Sequence, residues 1–166
     1  MDSRSLQAFI DQNRIAAQIV HCAAPTPTVE AAAQVMGVAP DQIVKTILFV
    51  AGGQMATVIA CGTAPIDRKP IATRFGVGRK QVKLADAETV LAVTGYPAGT
   101  VPPFGHREAH RTFVDPRVLA QPFVYAGGGE EDALVRLDPA DLLRITGGEL
   151  LPVTAGEPPE KGAAVE

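Results

Sequence analysis

Lys45 is the residue whose position most clearly suggests chemistry. It lies in the run IVKTILFV at residues 43–50, where strand alternation places its side chain on one face with Ile43, Ile47 and Phe49. A partly desolvated ammonium needs an anionic partner or a hydrogen-bond acceptor, which a ligand phosphate or a polarised carbonyl could supply. The alternative is a lysine at a sheet edge that extends to solvent or pairs with a structural carboxylate.

The segment GYPAGTVPPFG at residues 95–105 is a second candidate, because its glycines and prolines predict an irregular loop. Glycine removes the steric barrier to close approach, and proline fixes the direction of the chain. Backbone N–H and C=O groups of such a loop can therefore contact a substrate. An ordinary connection between a helix and a strand would have the same composition, so composition leaves both interpretations open.

A cluster of cations is the third candidate. The formal net charge is −3, yet six of the fifteen Lys and Arg residues lie within residues 68–83, which contain no Asp or Glu. We call this segment the basic span; its cations are Arg68, Lys69, Arg74, Arg79, Lys80 and Lys83. The span could bind phosphates. It could also be a solvated helix face balanced by acids from elsewhere in the fold.

Other kinds of site are disfavoured. Ser3 and Ser5, the only serines, lie at the N-terminus, which argues against a catalytic triad with a buried serine. Cys61 ends a predicted core strand and is interpreted as a small buried hydrophobe. His106 and His110 have the i, i+4 spacing that could bring them together on a helix, but no third ligand is evident. We therefore expect neither a metal site nor a cofactor.

The hydrophobic pattern and its breaks predict short helices mixed with strands. The predicted helices are an N-terminal one carrying Leu6, Phe9, Ile10, Ala17 and Val20, residues 29–36 after the cap Thr28, a segment from the cap Asp67 to Phe75, one between the cap Asp86 and Gly95, and one from Pro139 after the cap Asp138. The predicted strands are 43–50 and 55–61, joined as a central hairpin by Gly52-Gly53, then 81–84, 111–114, 123–126, 133–137 and 150–154. Because this order lacks a regular βαβ alternation, it predicts an α+β fold with a mixed sheet.

Length and composition predict one domain. The chain has 166 residues, of which 46% are hydrophobic and 20% charged, which is a normal globular composition. We assign residues 1–154 to the domain and expect the Gly-, Pro- and Glu-rich tail at 155–166 to be disordered. No apolar run is long enough to span a membrane and no export signal is evident, so we expect a cytoplasmic protein with Cys22 and Cys61 reduced.

Four motifs, taken in order, resemble the YbaK/ProX family of aminoacyl-tRNA deacylases, which are relatives of the editing insertion in bacterial prolyl-tRNA synthetases. They are VEAAAQVMGVAPDQIVKTILF, IDRKPIATRFG, VKLADAETVLAVTGYPAGTVPPFG and LDPADLLRITGG. The resemblance covers roughly residues 20–154. It implies a single domain with a mixed, barrel-like β-sheet surrounded by short helices, and an enzyme that hydrolyses mischarged aminoacyl-tRNA.

The resemblance also implies a site, because in this family a strand lysine and a GxxxP loop line the editing pocket. It assigns catalytic roles to Lys45, Gly99 and Pro103, and substrate binding to Thr46, Gly62, Thr100, Val101 and Pro102. Water would attack the ester, assisted by the ribose hydroxyl or a cysteine thiol of the substrate, while the lysine holds the tRNA end and the loop backbone positions the substrate. The acceptor stem would then follow Arg68, Lys69, Arg79, Lys80 and Lys83.

The substrate expected from the resemblance is Cys-tRNA(Pro) or tRNA(Pro) carrying another small amino acid. Alanine-specific relatives carry an FHP-like segment where this chain has PFVYAGGGEEDALVRL at residues 122–137. Acids at 130–132, where relatives often carry a basic residue, depart from the pattern and affect the tRNA contacts. Prolyl-tRNA synthetase is a second candidate partner, and the protein could be a monomer or a homodimer. A silent tRNA-binding module and a nucleotide-binding protein are the competing functions.

Overall fold

The computed structural model describes residues 1–155. Their helices are α1 (Ser3–Gln12), α2 (Val29–Met36), α3 (Lys69–Phe75), α4 (Ala87–Thr94), α5 (Pro116–Leu119) and α6 (Pro139–Thr146). The strands are β1 (Ala17–His21), β2 (Val44–Ala51), β3 (Gln54–Cys61), β4 (Val82–Leu84), β5 (Arg111–Val114), β6 (Val124–Gly127), β7 (Ala133–Leu137) and β8 (Glu149–Leu150). The predicted α+β class is therefore confirmed.

The strands form two sheets. The larger has the order β4-β2-β3-β5-β8, in which the β2–β3 and β2–β4 pairs are antiparallel and the β3–β5 and β5–β8 pairs are parallel. The smaller is antiparallel with the order β1-β7-β6, and a single bridge from Ile43 to Tyr125 connects the two. The described strands do not close into a barrel, because β4 and β8 are short edge strands that leave the larger sheet open. The barrel-like expectation is corrected accordingly.

The two faces of the β2–β3 hairpin contribute to different cores. Val44, Leu48 and Ile59 join the main hydrophobic cluster, which also includes residues of α1, α4 and the smaller sheet. Phe49 and Val58 join a second cluster beneath α3. Burial of apolar area on both faces, at about 25 cal/mol per Å², stabilises the hairpin as the centre of the fold. The central position predicted for it is confirmed.

Local signals account for most of the predicted elements. Thr28 Oγ1 accepts a hydrogen bond from the Ala31 N–H at 3.0 Å and begins α2, while Gly37, with φ of 66°, ends it in the left-handed region. Asp86 caps α4 in the same way, by accepting from the Thr89 N–H at 2.8 Å. Asp138 caps α6, whose first residue is Pro139. These three predictions are confirmed.

The predicted N-terminal helix is too long. The structure ends α1 at Gln12, where Arg14 takes a positive φ of 52°, and Ala17 lies on β1 beside Leu137 of β7. Val20 pairs with Leu134 in the same ladder, so both side chains were assigned to the wrong kind of element. Apolar residues spaced three or four apart suit a helix, but pairing with a distant strand decided their conformation.

Smaller differences concern helix and strand ends. Arg68, and not Asp67, is the N-cap of α3, although the Asp67 carboxylate accepts a hydrogen bond from the Lys69 N–H at 3.0 Å. The last strand is Glu149–Leu150, earlier than predicted, and the four-residue helix α5 was not predicted. Apart from Ala155, the predicted tail lies outside the described residues. No helix within residues 1–155 is long and apolar enough to cross a membrane.

Candidate functional site

A cavity of about 300 Å³ lies between the edge of β2, the start of α2 and the loop that follows α4. Lys45 and Thr46 line it from β2, and Gly99 and Val101 line it from the loop. Most of the remaining lining residues are apolar or small; they are Pro27, Val29, Ala32, Ile43, Val44, Ile47, Leu48, Leu84, Ala85, Val90, Ala98, Gly127 and Leu134, together with Thr26 and Thr28. We call this the editing cavity, after the pocket that the family resemblance implies.

The cavity follows from incomplete pairing of β2. β4 pairs only with Phe49, Val50 and Ala51 of β2. Directly after β4, the Ala85 N–H donates a hydrogen bond of 3.0 Å to the Leu48 carbonyl of β2. The edge of β2 around Thr46 is therefore not covered by β4. Side chains from both faces of the strand border the opening, which explains how adjacent residues can line one cavity although they point to opposite faces.

Lys45 is the one charged side chain among the residues that line the cavity. It is half-buried, and its Nζ donates a hydrogen bond of 2.7 Å to the Ala64 carbonyl in the loop after β3. Burial lowers the pKa of Lys45 from its ordinary value, while the nearby Cys61 and Glu30 raise it. Strand alternation along β2 places the side chain on the face that carries Ile47 and Phe49, as predicted.

The loop between Gly95 and Gly105 is held by backbone contacts. Gly99 adopts a φ of 85°, which favours glycine, and Thr100 donates from both its N–H and its hydroxyl to the Pro97 carbonyl. The Gly129 N–H donates to the Thr100 carbonyl at 2.9 Å. A Cβ on Gly127 would lie 2.5 Å from the Val101 carbonyl oxygen. The end of β6 and the turn that follows it therefore pack directly on the loop.

No activated nucleophile of the cysteine or serine type lies among the residues that line the cavity. Cys61 is buried, and burial raises the pKa of its thiol to about 12, so it is protonated at neutral pH. Cys22 and Cys61 are both free thiols, as expected. Within residues 1–155, no three His, Cys, Asp or Glu side chains are placed to share a metal ion. Lys45 and the threonines Thr26, Thr28 and Thr46 are the lining residues with polar side chains.

The structure brings together four of the eight residues predicted for catalysis and substrate binding: Lys45, Thr46, Gly99 and Val101 all line the editing cavity. The Thr46 hydroxyl oxygen is buried and has no hydrogen-bond partner among the described residues. An unsatisfied buried hydroxyl is costly, which marks it as a group that a ligand could satisfy.

The other four predicted residues lie around the cavity without lining it. Thr100 faces a neighbouring cavity that also contains Asp2, Glu130 and other acids. Pro102 and Pro103 are buried, and Pro103 lines a third cavity with His106 and His110. Gly62, with φ of 73°, turns the chain after β3 and donates its N–H to the Ile43 carbonyl at 3.0 Å. Their contacts support the loop and the strand end.

His106 and His110 do not lie on a helix. They occupy the irregular segment between α4 and β5, where their rings nevertheless stack with centroids 5.2 Å apart. The two rings therefore come together without the helix that could have brought residues of i, i+4 spacing together.

The predicted tRNA-binding cations are mostly exposed. Lys69 lies on α3, Arg79 and Lys80 lie in a 3₁₀ turn, and Lys83 lies on the edge strand β4. None of these four makes an ion pair with another described residue. Arg68 differs, because it is half-buried, donates to the Val82 carbonyl at 3.1 Å and lies over the Phe49 ring.

Within the basic span, Arg74 fits the alternative interpretation, since it pairs with Glu149. Lys69, Arg79, Lys80 and Lys83 make no such ion pair with a described residue.

Several lining residues were not singled out from the sequence. Leu84 ends the predicted strand 81–84 and Ala85 directly follows it, so no sequence signal marks either residue as part of a cavity. Gly127 lies in the run Gly127–Gly129, which was interpreted only as a turn. Close packing of a glycine against distant backbone leaves no mark in the local sequence beyond the glycine itself.

A model of the aminoacyl-tRNA editing domain family matches residues 23–145. The match covers well over half of the chain, including β2, the editing cavity and the loop. This chain belongs to that family, and the family expected from the four motifs is confirmed.

Similarity to individual proteins agrees with the family. The chain is 31% identical over 150 residues to a proline–tRNA ligase of Nitratidesulfovibrio vulgaris, covering 86% of this chain and 25% of the ligase. It thus spans about a quarter of the length of that relative. A candidate Cys-tRNA(Pro)/Cys-tRNA(Cys) deacylase of Enterococcus faecalis is 25% identical over 130 residues, which is 77% of each chain.

A solved structure resembles the whole described domain. It is described as a candidate trans-editing enzyme for prolyl-tRNA synthetase and superposes with a TM-score of 0.85 at 30% identity, covering 93% of this chain and 97% of its own. The editing-domain fold expected from the four motifs is therefore confirmed.

Proposed function

We propose that this protein hydrolyses, in trans, the ester that joins cysteine or another small amino acid to the terminal adenosine of tRNA(Pro). The observation that carries the proposal is the placement of Lys45 opposite Gly99 and Val101 in one cavity of about 300 Å³. This volume is at the lower end of small-molecule sites, which run from about 300 to 1,000 Å³, and suits a small aminoacyl group. A tRNA substrate of this kind is consistent with the expected cytoplasmic location.

The proposed mechanism relies on positioning. The ammonium of Lys45 holds the tRNA end, and the backbone around Gly99 and Val101 orients the ester for attack by water. Gly99, with its left-handed φ, allows close approach to the substrate. The roles predicted for Pro103, Pro102, Thr100 and Gly62 become supporting ones in this proposal, because these residues hold the loop and the end of β3 and do not line the cavity.

The proposed path of the acceptor stem runs over the exposed cations of the basic span. Lys83 directly precedes Leu84, which lines the cavity, so the cationic surface reaches the rim. On the far side of the loop, Asp2, Glu130, Glu131 and Asp132 line a separate cavity. This asymmetry favours approach of a polyanion from the side of β4.

The test is deacylation of tRNA(Pro) charged separately with Cys, Ala, Ser and Pro, using the wild-type protein and Lys45→Ala. We expect selective loss of one mischarged species, decreased by at least about 100-fold in the variant, since removing one positioned electrostatic group typically costs that much. Arg144→Ala is the matched control, because it removes an exposed cation on α6 that pairs with Asp141 at 3.1 Å. Uncharged tRNA binding is measured in parallel for all three proteins.

Two results would contradict the proposal. Intact tRNA binding without deacylation of any species would indicate a silent binding module. Affinity for a free nucleotide that does not depend on tRNA would indicate a nucleotide-binding protein. Activity that persists in Lys45→Ala would leave editing in place but remove the lysine from its proposed role.

A further inference from the structure

The cavity that contains His106 and His110 lies directly behind the loop of the editing cavity. It has a volume of about 240 Å³ and is lined by residues of α1, the loop, β5 and α6. The proposed function uses neither histidine. Both rings are half-buried, however, and each makes a hydrogen bond to a backbone carbonyl. Because a carbonyl oxygen can only accept, the ring nitrogen that contacts it must carry the hydrogen.

The hydrogen-bond partners assign one tautomer to each ring. His106 Nε2 lies 2.6 Å from the Pro102 carbonyl oxygen, so Nε2 must carry the hydrogen. His110 Nδ1 lies 3.0 Å from the Glu108 carbonyl oxygen, so in this ring Nδ1 carries it. In the neutral forms the other two ring nitrogens, His106 Nδ1 and His110 Nε2, carry lone pairs and no hydrogen, and they lie 3.4 Å apart.

Thr57 completes the arrangement from the central sheet. Its hydroxyl donates a hydrogen bond to His110 Nε2, because that nitrogen carries a lone pair and no hydrogen. Thr57 lies on β3 and is 1% exposed, so its position is set by the core. The rings of His110 and His106 stack on one another, which extends this fixed position to the ring that contacts Pro102.

We propose that His106 is a positioning residue for the editing loop: its Nε2–H holds the Pro102 carbonyl, while His110 and Thr57 orient its ring. Pro102 directly follows Val101, whose side chain lines the editing cavity and whose carbonyl packs against Gly127. The loop is thus held from two sides, by the β6–β7 turn and by the histidine pair. The consequence for catalysis rests on the proposed function, whereas the contact itself does not.

Burial is consistent with the neutral forms. It lowers the pKa of His106 and of His110 from the ordinary value, and the Pro102 and Glu108 carbonyls oppose the shift only in part. The charged groups that act on the pair are the two rings themselves and the Glu108 carboxylate. At neutral pH the pair therefore keeps the tautomers that its acceptors require.

The first test is the tautomeric state of each ring in the wild-type protein, measured by long-range ¹H–¹⁵N NMR at about pH 8, where histidines are neutral. We expect the Nε2–H form for His106 and the Nδ1–H form for His110, while His21, which is exposed on β1, provides an internal reference. An Nδ1–H form of His106, or averaging between its two forms, would overturn the proposal, since the contact to Pro102 would then be absent or transient.

The second test compares His106→Gln with His106→Leu. Glutamine can place an N–H near the position of Nε2, whereas leucine removes the donor and keeps the bulk. We expect His106→Leu to lower kcat about tenfold with little change in KM, and to speed hydrogen exchange in residues 99–104, with His106→Gln close to wild type. His21→Leu is the matched control and should change neither measurement.

The outcomes separate this inference from the proposed function, because neither the tautomers nor the exchange rates require turnover. Predicted tautomers and exchange in a protein that deacylates nothing would support the contact and overturn the proposed function. Deacylation that is equal in His106→Leu and wild type, with unchanged loop exchange, would overturn the positioning role and leave the function intact.

Discussion

The editing cavity and the basic span are neighbours in this fold, but they are held in place by different kinds of contact. The loop at the cavity is fixed by backbone packing against Gly127 and by the hydrogen bond from Gly129 to Thr100. Four exposed cations of the span make no ion pair with any described residue; they are Lys69, Arg79, Lys80 and Lys83. The loop at the editing cavity is therefore held in a defined position, whereas these cations of the basic span are not.

This difference has a functional meaning. Hydrolysis of an ester requires alignment to within a fraction of an ångström, which only packed and hydrogen-bonded groups provide. Binding of a phosphate backbone requires charge at roughly the right distance and tolerates mobile side chains. Substitutions in the cavity should therefore change turnover and stability together, whereas substitutions in the span should change affinity alone. The following predictions test that division, beginning with the largest expected effect.

Gly127→Ala should have the largest effect on stability. Its Cβ would lie 2.5 Å from the Val101 carbonyl oxygen and 2.9 Å from that of Thr100, so the loop must move away. We expect the free energy of unfolding to fall by about 2 kcal/mol and kcat to fall more than tenfold, as for other overpacked sites and displaced catalytic groups. Thermal denaturation and deacylation kinetics measure the two effects.

Gly78→Ala is the matched control for this substitution. Its backbone has an ordinary φ of −74°, and the nearest atom to a new Cβ is 3.8 Å away. Gly78 lies in the basic span, and we expect its replacement to leave kcat unchanged. Equal losses in the two variants would show that the packing of Gly127 on the loop has no special role.

Lys80→Gln combined with Lys83→Gln should weaken tRNA binding without changing kcat at saturating substrate. Each phosphate contact contributes about 0.9 to the slope of log affinity against log salt, so the slope should fall by about 2. Filter binding over a range of salt concentrations measures it, with Arg144→Gln as the control for loss of charge. An unchanged slope would remove both lysines from the interface.

Thr46→Val should produce effects of opposite sign on stability and on binding. The Thr46 hydroxyl is buried without a partner among the described residues, and valine has almost the same shape. We expect the free energy of unfolding to rise by about 1 kcal/mol, because an unsatisfied buried hydroxyl is removed. If the substrate satisfies this hydroxyl, KM should rise several-fold; an unchanged KM would show that it does not.

The histidine pair should give the smallest effect, seen as a dependence of stability on pH. Burial lowers the pKa of both His106 and His110 in the folded state, so the unfolded chain binds more protons as the pH falls through the ordinary histidine range. The stability that the pair contributes is complete above about pH 6.5 and is lost below it. Denaturation of the wild type and of His106→Gln with His110→Gln, between about pH 5 and 8, measures the effect.

On acidification, we expect the free energy of unfolding to fall less in this double variant than in the wild type. His21→Gln is the control, because His21 is exposed on β1. A variant with the same pH dependence as the wild type would show that the pair does not take up protons on unfolding, as would an enhanced decline.

Much of the fold could be predicted because its signals are local. Thr28, Asp86 and Asp138 each accept a hydrogen bond from a backbone N–H within three residues, so the helix starts follow from sequence alone. The prediction for the N-terminal helix was wrong because the deciding contacts are not local. Ala17 and Val20 are strand residues because β7, more than a hundred positions away, pairs with them.

The candidate site shows the same limit within five consecutive residues. The loop from Gly99 to Pro103 was predicted as one unit, yet only Gly99 and Val101 line the editing cavity with Lys45. Thr100 and Pro103 face two other cavities. An irregular loop has no fixed period that would assign its side chains to one side, and the direction of each residue follows from contacts with Gly127, Gly129 and His106.

The sequence by itself determined the α+β class, most helices and strands, the presentation of Lys45 on an apolar face and the family. These depend on residue types and spacings over short stretches, where alternation, caps and turns act through neighbouring atoms. Only the tertiary structure decided that β4 leaves the edge of β2 open, which loop residues reach that opening, and that two histidines hold the loop from behind. These features arise from contacts between residues far apart in the chain, whose energy no local pattern encodes.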